Sequence, residues 1–318
     1  MGGRIRRFSV FAIVLLSLFL AACGQGPSSS GQTGDAGKPA SSGALGVVTS
    51  ITPIADMIRQ VGGDRVQVTA LVPPGADPHD YSPTPADVRT ISQAKLFVAN
   101  GLGEETYIQK LIQSSGRSDL KIVTLSDGLP VLGQGEGGTG NPHMWLDPNY
   151  AVKYTEKIRD ALIEVDPAGA AEYRNRAQTY IGQLQDLDKW IRSQIAQIPE
   201  DRRTMVVFHD AWPYFCKEYG LEQVYLAGPS GAEPSPQDYA KVVQAVRDRH
   251  VPAVFGEAGL NPKLISRLAE DTGARFVDNL LDDTVGGPGT ATYIDMMKFD
   301  VQTIVGALKG TSGKGVAG

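Results

Sequence analysis

Cysteine, histidine and tryptophan are all scarce in this chain of 318 residues. There are two cysteines, Cys23 and Cys216, so at most one disulfide could form. A disulfide framework is excluded. No Lys/Arg cluster or aromatic-basic stripe occurs in the body of the chain, and the formal net charge is −5, which argues against a nucleic-acid partner. The longest apolar run, Phe8 to Leu20, is too short to span a bilayer comfortably. No His-Glu-x-x-His, Ser-His-Asp, Cys-His or glycine-rich phosphate loop stands out. What remains is a soluble composition, 42% apolar and 20% charged, with length enough for two ordinary domains.

The few histidines are placed with regularity. His79, His143 and His209 lie 64 and 66 residues apart, and Asp278 follows after a further 69. Three imidazoles and a carboxylate complete a coordination shell for a divalent transition metal. The fourth histidine, His250, ends the polar stretch Arg247-Asp248-Arg249, where a cation suits a helix C-terminus, and is read as structural.

The N-terminus is a targeting segment. Arg4, Arg6 and Arg7 precede the apolar run, which ends at Leu20-Ala21-Ala22-Cys23. This resembles a bacterial lipobox, with residues 1–22 as signal peptide and Cys23 as the lipidated residue. An ordinary secretory signal is the alternative. After Cys23, residues 24–44 are mostly Gly, Ser, Pro, Gln and Ala with no bulky apolar residue, and 23–44 reads as the lipidated cysteine and a flexible tether. Cys216, within Trp212-Pro213-Tyr214-Phe215-Cys216, reads as a buried small hydrophobe.

From residue 45 onward, β-rich runs alternate with helical patterns. Strands are expected at Leu45–Ser50, Val66–Val72, Lys95–Asn100, Lys121–Leu125, Thr204–Phe208, Gln223–Ala227, Pro252–Phe255 and Ala274–Val277. A capping residue followed by proline recurs at Thr52-Pro53, Thr84-Pro85, Asp147-Pro148, Ser235-Pro236 and Asn261-Pro262. Gly62, Gly220 and Gly273 suit helix ends. This is an α/β class with mainly parallel sheets. Between Pro167 and Pro199 apolar residues recur at three- and four-residue steps over about 30 residues, enough for roughly 45 Å of helix. Four strands precede it and four follow. The expected organisation is an N-terminal lobe (45–166), a connecting helix (167–199) and a C-terminal lobe (200–318). His79 falls in a loop after the second strand, His209 and Asp278 at strand ends, and His143 before a helix. Ligands in open α/β sheets bind at that edge. Glu257 ends another strand and suits a role behind a histidine ligand, accepting its second ring N–H. Asp80 and Asp210 adjoin histidines and serve structure or the same supporting role. Trp145 and Trp212 are expected to wall the site.

The wording of these segments is specific. Asp77-Pro78-His79-Asp80-Tyr81-Ser82-Pro83-Thr84-Pro85, Pro142-His143-Met144-Trp145-Leu146-Asp147-Pro148, Phe208-His209-Asp210-Ala211-Trp212, Phe255-Gly256-Glu257, Leu268-Ala269-Glu270-Asp271-Thr272-Gly273-Ala274 and Tyr293-Ile294-Asp295-Met296-Met297 occur in one order from about residue 45 to the C-terminus. The chain resembles the metal-binding lipoproteins of bacterial zinc and manganese ABC importers, solute-binding family 9. The resemblance implies two lobes joined by one long helix, with metal held in the cleft by His79, His143, His209 and Asp278. Many members carry Glu at the third position. Many zinc members also carry a long His-rich loop before the second ligand, where this chain has only the Gly-rich stretch 133–140.

The reading that follows is an extracytoplasmic, lipid-anchored, monomeric receptor for Zn²⁺ that serves an ABC permease, with Mn²⁺ (or iron) as the alternative cargo. Three imidazoles favour zinc; manganese prefers more oxygen. A zinc hydrolase using Glu257 as general base, and an adhesin with a structural metal, are the competing classes. A catalytic zinc keeps an open water position, which a fourth protein ligand would close. Ligand histidines must be neutral, so affinity is expected to fall below about pH 6.5. The long helix is expected to restrict any swing of the lobes.

Overall fold

The computed structural model describes residues 43–133 and 139–309. The signal segment, Cys23, the tether up to residue 42 and the middle of the Gly-rich loop lie outside them. The chain order is β1 (Leu45–Thr49), α1 (Thr52–Gly62), β2 (Val66–Ala70), α2 (Pro85–Gln93), β3 (Leu96–Ala99), α3 (Ile108–Ser115), β4 (Lys121–Thr124), α4 (Pro148–Val165) and α5 (Ala170–Ile195). It continues with β5 (Thr204–His209), α6 (Pro213–Tyr219), β6 (Glu222–Ala227), α7 (Pro236–Asp248), β7 (Ala253–Glu257), α8 (Lys263–Thr272), β8 (Arg275–Leu280) and α9 (Tyr293–Leu308).

The strands form two four-stranded parallel sheets of the same topology, β2-β1-β3-β4 and β6-β5-β7-β8. All eight strands lie where their apolar runs place them. In each sheet the chain starts on a central strand, steps outward once, then crosses back to the other side. Loops leaving the carboxyl ends therefore diverge at the centre and leave a crevice there.

Between the sheets runs α5, preceded by a short 3₁₀ turn at Pro167–Gly169. Its 26 residues span about 39 Å. Tyr173, Ala177, Tyr180, Leu184, Leu187, Ile191 and Ile195 form its buried stripe. They join one apolar cluster that runs from Val47 and Leu96 in the first sheet to Val207 and Phe255 in the second. The C-terminal helix α9 returns to pack on α1 and α5. Cys216 is buried with its sulfur 4.0 Å from that of Met205, as a small hydrophobe.

The proline-marked helix starts hold at Thr84, Asp147 and Ser235, whose side chains accept backbone N–H bonds from Asp87, Asn149 and Asp238. Thr52 departs from this pattern. It lies inside the first turn of α1, and its hydroxyl accepts from the Val285 backbone N–H at 2.8 Å, 233 residues away. At the other end of α1 the positive φ falls on Gly63, not Gly62.

The largest departure is at β8. Its expected end was Val277, with Asp278 entering the site. Strand pairing instead advances two residues on β7, from Phe255 to Glu257, and three on β8, from Val277 to Leu280. The extra residue makes a bulge, with Asn279 at φ 74°. Asp278 is exposed on this bulge, over Gly256, and its carboxylate accepts the Asn279 N–H. The strand continues past it to buried Leu280.

Candidate metal centre

Every group of the site leaves a strand at its carboxyl end. His79 lies in the loop after β2, its backbone N–H held at 2.8 Å by Asp77 Oδ1. His143 follows β4 through a long loop, and His209 is the last residue of β5. Asp283 comes three residues after β8. Donor atoms of His79, His143, His209 and Asp283 all lie within 4.8 Å of one another. The structure thus gathers the three expected histidines and replaces the expected Asp278 with Asp283. The bulge is the physical reason, because it turns Asp278 to solvent and carries the chain further before it crosses the crevice.

The imidazoles are oriented by partners behind them. Asn141 Oδ1 accepts the His143 backbone N–H and faces His143 Nδ1, both at 3.0 Å. The amide cannot be turned round, since Asn141 Nδ2 donates to the Asp210 carbonyl. Glu257 Oε2 lies 2.7 Å from His209 Nδ1 and 3.1 Å from the His209 N–H, while Glu257 Oε1 accepts from Trp212 Nε1 at 3.2 Å. These acceptors place the ring proton of each histidine on Nδ1. The two Nε2 lone pairs therefore turn inward, and they face each other across 3.3 Å. Ring centroids in the histidine trio are 5.1 to 5.5 Å apart. Two lone pairs at that distance repel unless a cation lies between them.

Electrostatics tell the same story. His143 and His209 are fully buried. Burial, then the neighbouring His209 and His79, holds His143 well below the usual imidazole range. Burial pushes His209 down to about 4, against the pull of Asp77 and Asp210. Both are neutral bases at pH 7. The acids move the other way. Burial raises Glu257 to about 8, opposed by the His209 backbone and Trp212 hydrogen bonds. Burial also lifts Asp282 and Asp283 well above the carboxylate range, reinforced for Asp282 by Glu257 and Asp300 and for Asp283 by Asp282 and Asp77. Neither oxygen of Asp282 has a hydrogen-bond partner among the described residues, nor has Asp283 Oδ1. Buried carboxylates without donors are unfavourable unless positive charge joins them.

The tryptophans do wall the site. Trp145 stands 5.1 Å from His143 and donates Nε1–H to the Asp282 carbonyl at 2.7 Å. That bond helps to fix the segment after β8, which is also fastened by Val285 N–H to Thr52 Oγ1, Gly75 N–H to Thr284 Oγ1 and Tyr293 N–H to Asp56 Oδ2. Asp283 is thus delivered by the second sheet and tied down on the first. Asp210 accepts from Gln223 and presents its carbonyl to Asn141. Asp80 is exposed and belongs to no donor group among the described residues. Four residues of the site were not foreseen: Asn141, Asp282, Asp283 and Glu104, a buried acid in the loop after β3. The pair Asp282-Asp283 directly follows Leu280-Leu281, and acids right after an apolar strand end were the available signal.

Glu257→Gln keeps the shape but weakens the hold on His209. Metal affinity is expected to fall about 10- to 100-fold, measured by chelator competition.

Two parallel-sheet lobes with a buried cage of three imidazoles and a carboxylate at their carboxyl edges define a metal-binding receptor architecture. A family model described as zinc-uptake complex component A, periplasmic (ZnuA), matches residues 47–307, and the chain belongs to this family. It is 36% identical over 301 residues to the manganese-binding lipoprotein MntA of Halalkalibacterium halodurans, covering 94% of this chain and 97% of that protein. It is 31% identical over 312 residues to the metal ABC transporter substrate-binding lipoprotein FimA of Streptococcus parasanguinis, covering 94% and 98%. The structure superposes on the periplasmic zinc-binding protein TroA of Treponema pallidum with a TM-score of 0.78 at 31% identity, covering 84% of this chain and 99% of that one. A receptor class, not a hydrolase, is what these relatives share, and the family places the protein outside the cytoplasm. No helix among the described residues is long and apolar enough to cross a membrane.

Proposed function

We propose that this chain is a Zn²⁺ receptor that captures the ion outside the cytoplasm with His79, His143, His209 and Asp283 and delivers it to an ABC permease, held at the membrane by lipid on Cys23. The observation that carries this is the pair of inward Nε2 atoms at 3.3 Å, each fixed by an acceptor behind it, with Asp283 within reach. Three neutral nitrogens and one carboxylate oxygen are a zinc-type donor set. Glu257 orients His209, and Asn141 orients His143. Capture needs no bond chemistry. The ion's charge offsets the buried acids, so the loaded form is stabilised by its cargo.

Manganese is the second reading. Asp282 and Glu104 bring further carboxylates close to the cage, and oxygen-rich surroundings suit Mn²⁺. Several relatives, MntA among them, are named for manganese, and the structural neighbour TroA for zinc. Metal analysis of the native protein, with Zn²⁺ and Mn²⁺ titrations of the metal-free form, decides. One equivalent of zinc bound more tightly than manganese is expected, with the preference narrowed in His209→Glu. Absence of saturable binding by either ion would sink the receptor reading. Native protein loaded with manganese would replace zinc by the second reading.

A further inference from the structure

A cleft of about 70 Å³ opens beside His79. His79, Leu102, Glu104 and Pro142 line it together with Pro229 and Ser230 from the loop after β6. It has room for a few waters, hence for a cation that keeps part of its hydration. Glu104 is the one acid among its lining residues.

Two consecutive glutamates here have opposite fates. Glu105 is fully used: it accepts from Ser50 Oγ at 2.6 Å and from the backbone N–H groups of Asn100 and Gly101 at 2.7 and 3.0 Å. Glu104 is 5% exposed, and neither of its oxygens has a hydrogen-bond partner among the described residues. The charges acting on it are other acids, Asp283 foremost, then Glu105 and Asp77. It lies outside the four-donor group. A fold that buries an acid beside acids, and gives it no donor, leaves it fit for a cation arriving through the cleft.

We propose that Glu104 is the entry ligand of this receptor, a carboxylate that takes the partly hydrated divalent cation in the cleft and passes it to His79 and Asp283. This rests on the receptor reading. A hard oxygen donor can replace one water of an aquo ion before the imidazoles strip the rest. The same group takes the ion on its way out. A ligand used only in passage alters rates in both directions and leaves the end states nearly unchanged.

The test is stopped-flow mixing of metal-free protein with Zn²⁺, read by tryptophan fluorescence, and release from the loaded protein into excess EDTA. Wild type is compared with Glu104→Gln and Glu104→Asp at low salt and at about 0.5 M, where field effects between exposed charges are screened. Glu104→Gln is expected to slow both capture and release about tenfold, with equilibrium affinity within about threefold of wild type. The slowing persists in high salt, and Glu104→Asp recovers part of it. Unchanged rates overturn the proposal. So does a loss of affinity with unchanged capture, which makes Glu104 a resident ligand, or a rate difference that vanishes in high salt. Melting temperature and one-equivalent binding check the fold of each variant. If Glu104→Gln does not fold, slowed rates in Glu104→Asp support the proposal and wild-type rates overturn it. Should wild type itself take up neither zinc nor manganese, the receptor reading falls whatever the variants do.

Discussion

Replacing Asp283 by alanine is expected to weaken Zn²⁺ binding roughly a thousandfold, about 4 kcal/mol, whereas Asp278→Ala should stay within about twofold of wild type, as for a surface change. The contrast follows from position alone. Asp283 is buried and within 4.8 Å of all three histidines at its donor oxygen. Asp278 is exposed, and its carboxylate is spent on the next residue's N–H. Removing Asp283 leaves three neutral nitrogens and takes away the negative charge that most directly faces the ion. Chelator competition on both variants reads the result. Equal losses for the two, or a greater loss for Asp278→Ala, would refute the site as drawn.

A second large effect is the coupling of stability to pH. Glu257 is raised from 4.5 to about 8 in the fold, with Asp282 and Asp283 raised as well. A raised acid stabilises the fold fully below its unfolded value and loses that contribution as pH climbs through the folded value. Metal-free protein should therefore lose stability between about pH 4.5 and 8. His209 acts in the opposite sense. It is lowered from 6.5 to about 4, so its contribution is present above 6.5 and lost as pH falls toward 4. The melting temperature of the metal-free protein is expected to peak at mildly acidic pH and to decline toward pH 8.

Bound zinc reverses the decline, because the ion meets carboxylates instead of displacing their protons. At constant free zinc, the rise in melting temperature should be larger at pH 8 than at pH 5.5 by roughly 5 °C or more, a difference worth about 2 kcal/mol for a domain of this size. Asp282→Asn should flatten the dependence. A zinc effect independent of pH, or a metal-free protein that grows steadily more stable up to pH 8, would contradict the charge arrangement. The charge arrangement also revises the expectation that affinity falls only below about pH 6.5. Burial has already made His143 and His209 neutral, so the protons that compete with metal at pH 6 to 8 are those of the acids.

Most of the scaffold was legible because parallel strands buried on both faces are written as apolar runs. All eight strands and the long helix could be placed from such patterns, whereas the three histidines drew notice by their scarcity, their near-even spacing and the resemblance of the segments around them. The carboxylate could not. Its position depends on a bulge at Asp278-Asn279, where a non-glycine residue adopts a left-handed conformation to let β8 run on. Nothing in Ala274-Arg275-Phe276-Val277-Asp278 marks that continuation, and the near-even spacing of the histidines made Asp278 attractive for a reason unrelated to geometry. Asn141 was hidden for a similar cause. In Asn141-Pro142-His143 it reads as turn chemistry, yet its amide is the group that aims His143. Glu104 sits in Gly101-Leu102-Gly103-Glu104-Glu105, where only tertiary packing separates the satisfied acid from the unsatisfied one.

The fastening of the segment after β8 has a consequence for how the cage comes apart. Thr52, Asp56, Gly75 and Trp145 all hold that segment against the first sheet, while the chain that supplies it comes from the second. A rigid separation of the sheets would draw Asp283 away together with His79 and His143. His209, locked to Glu257, would stay behind. Coordination would then fall from four to three, not to two and two, and the ion would keep its charged partner throughout. Unloading becomes a matter of residence time on a three-armed remnant, set by how long Asp283 holds on after His209 has gone.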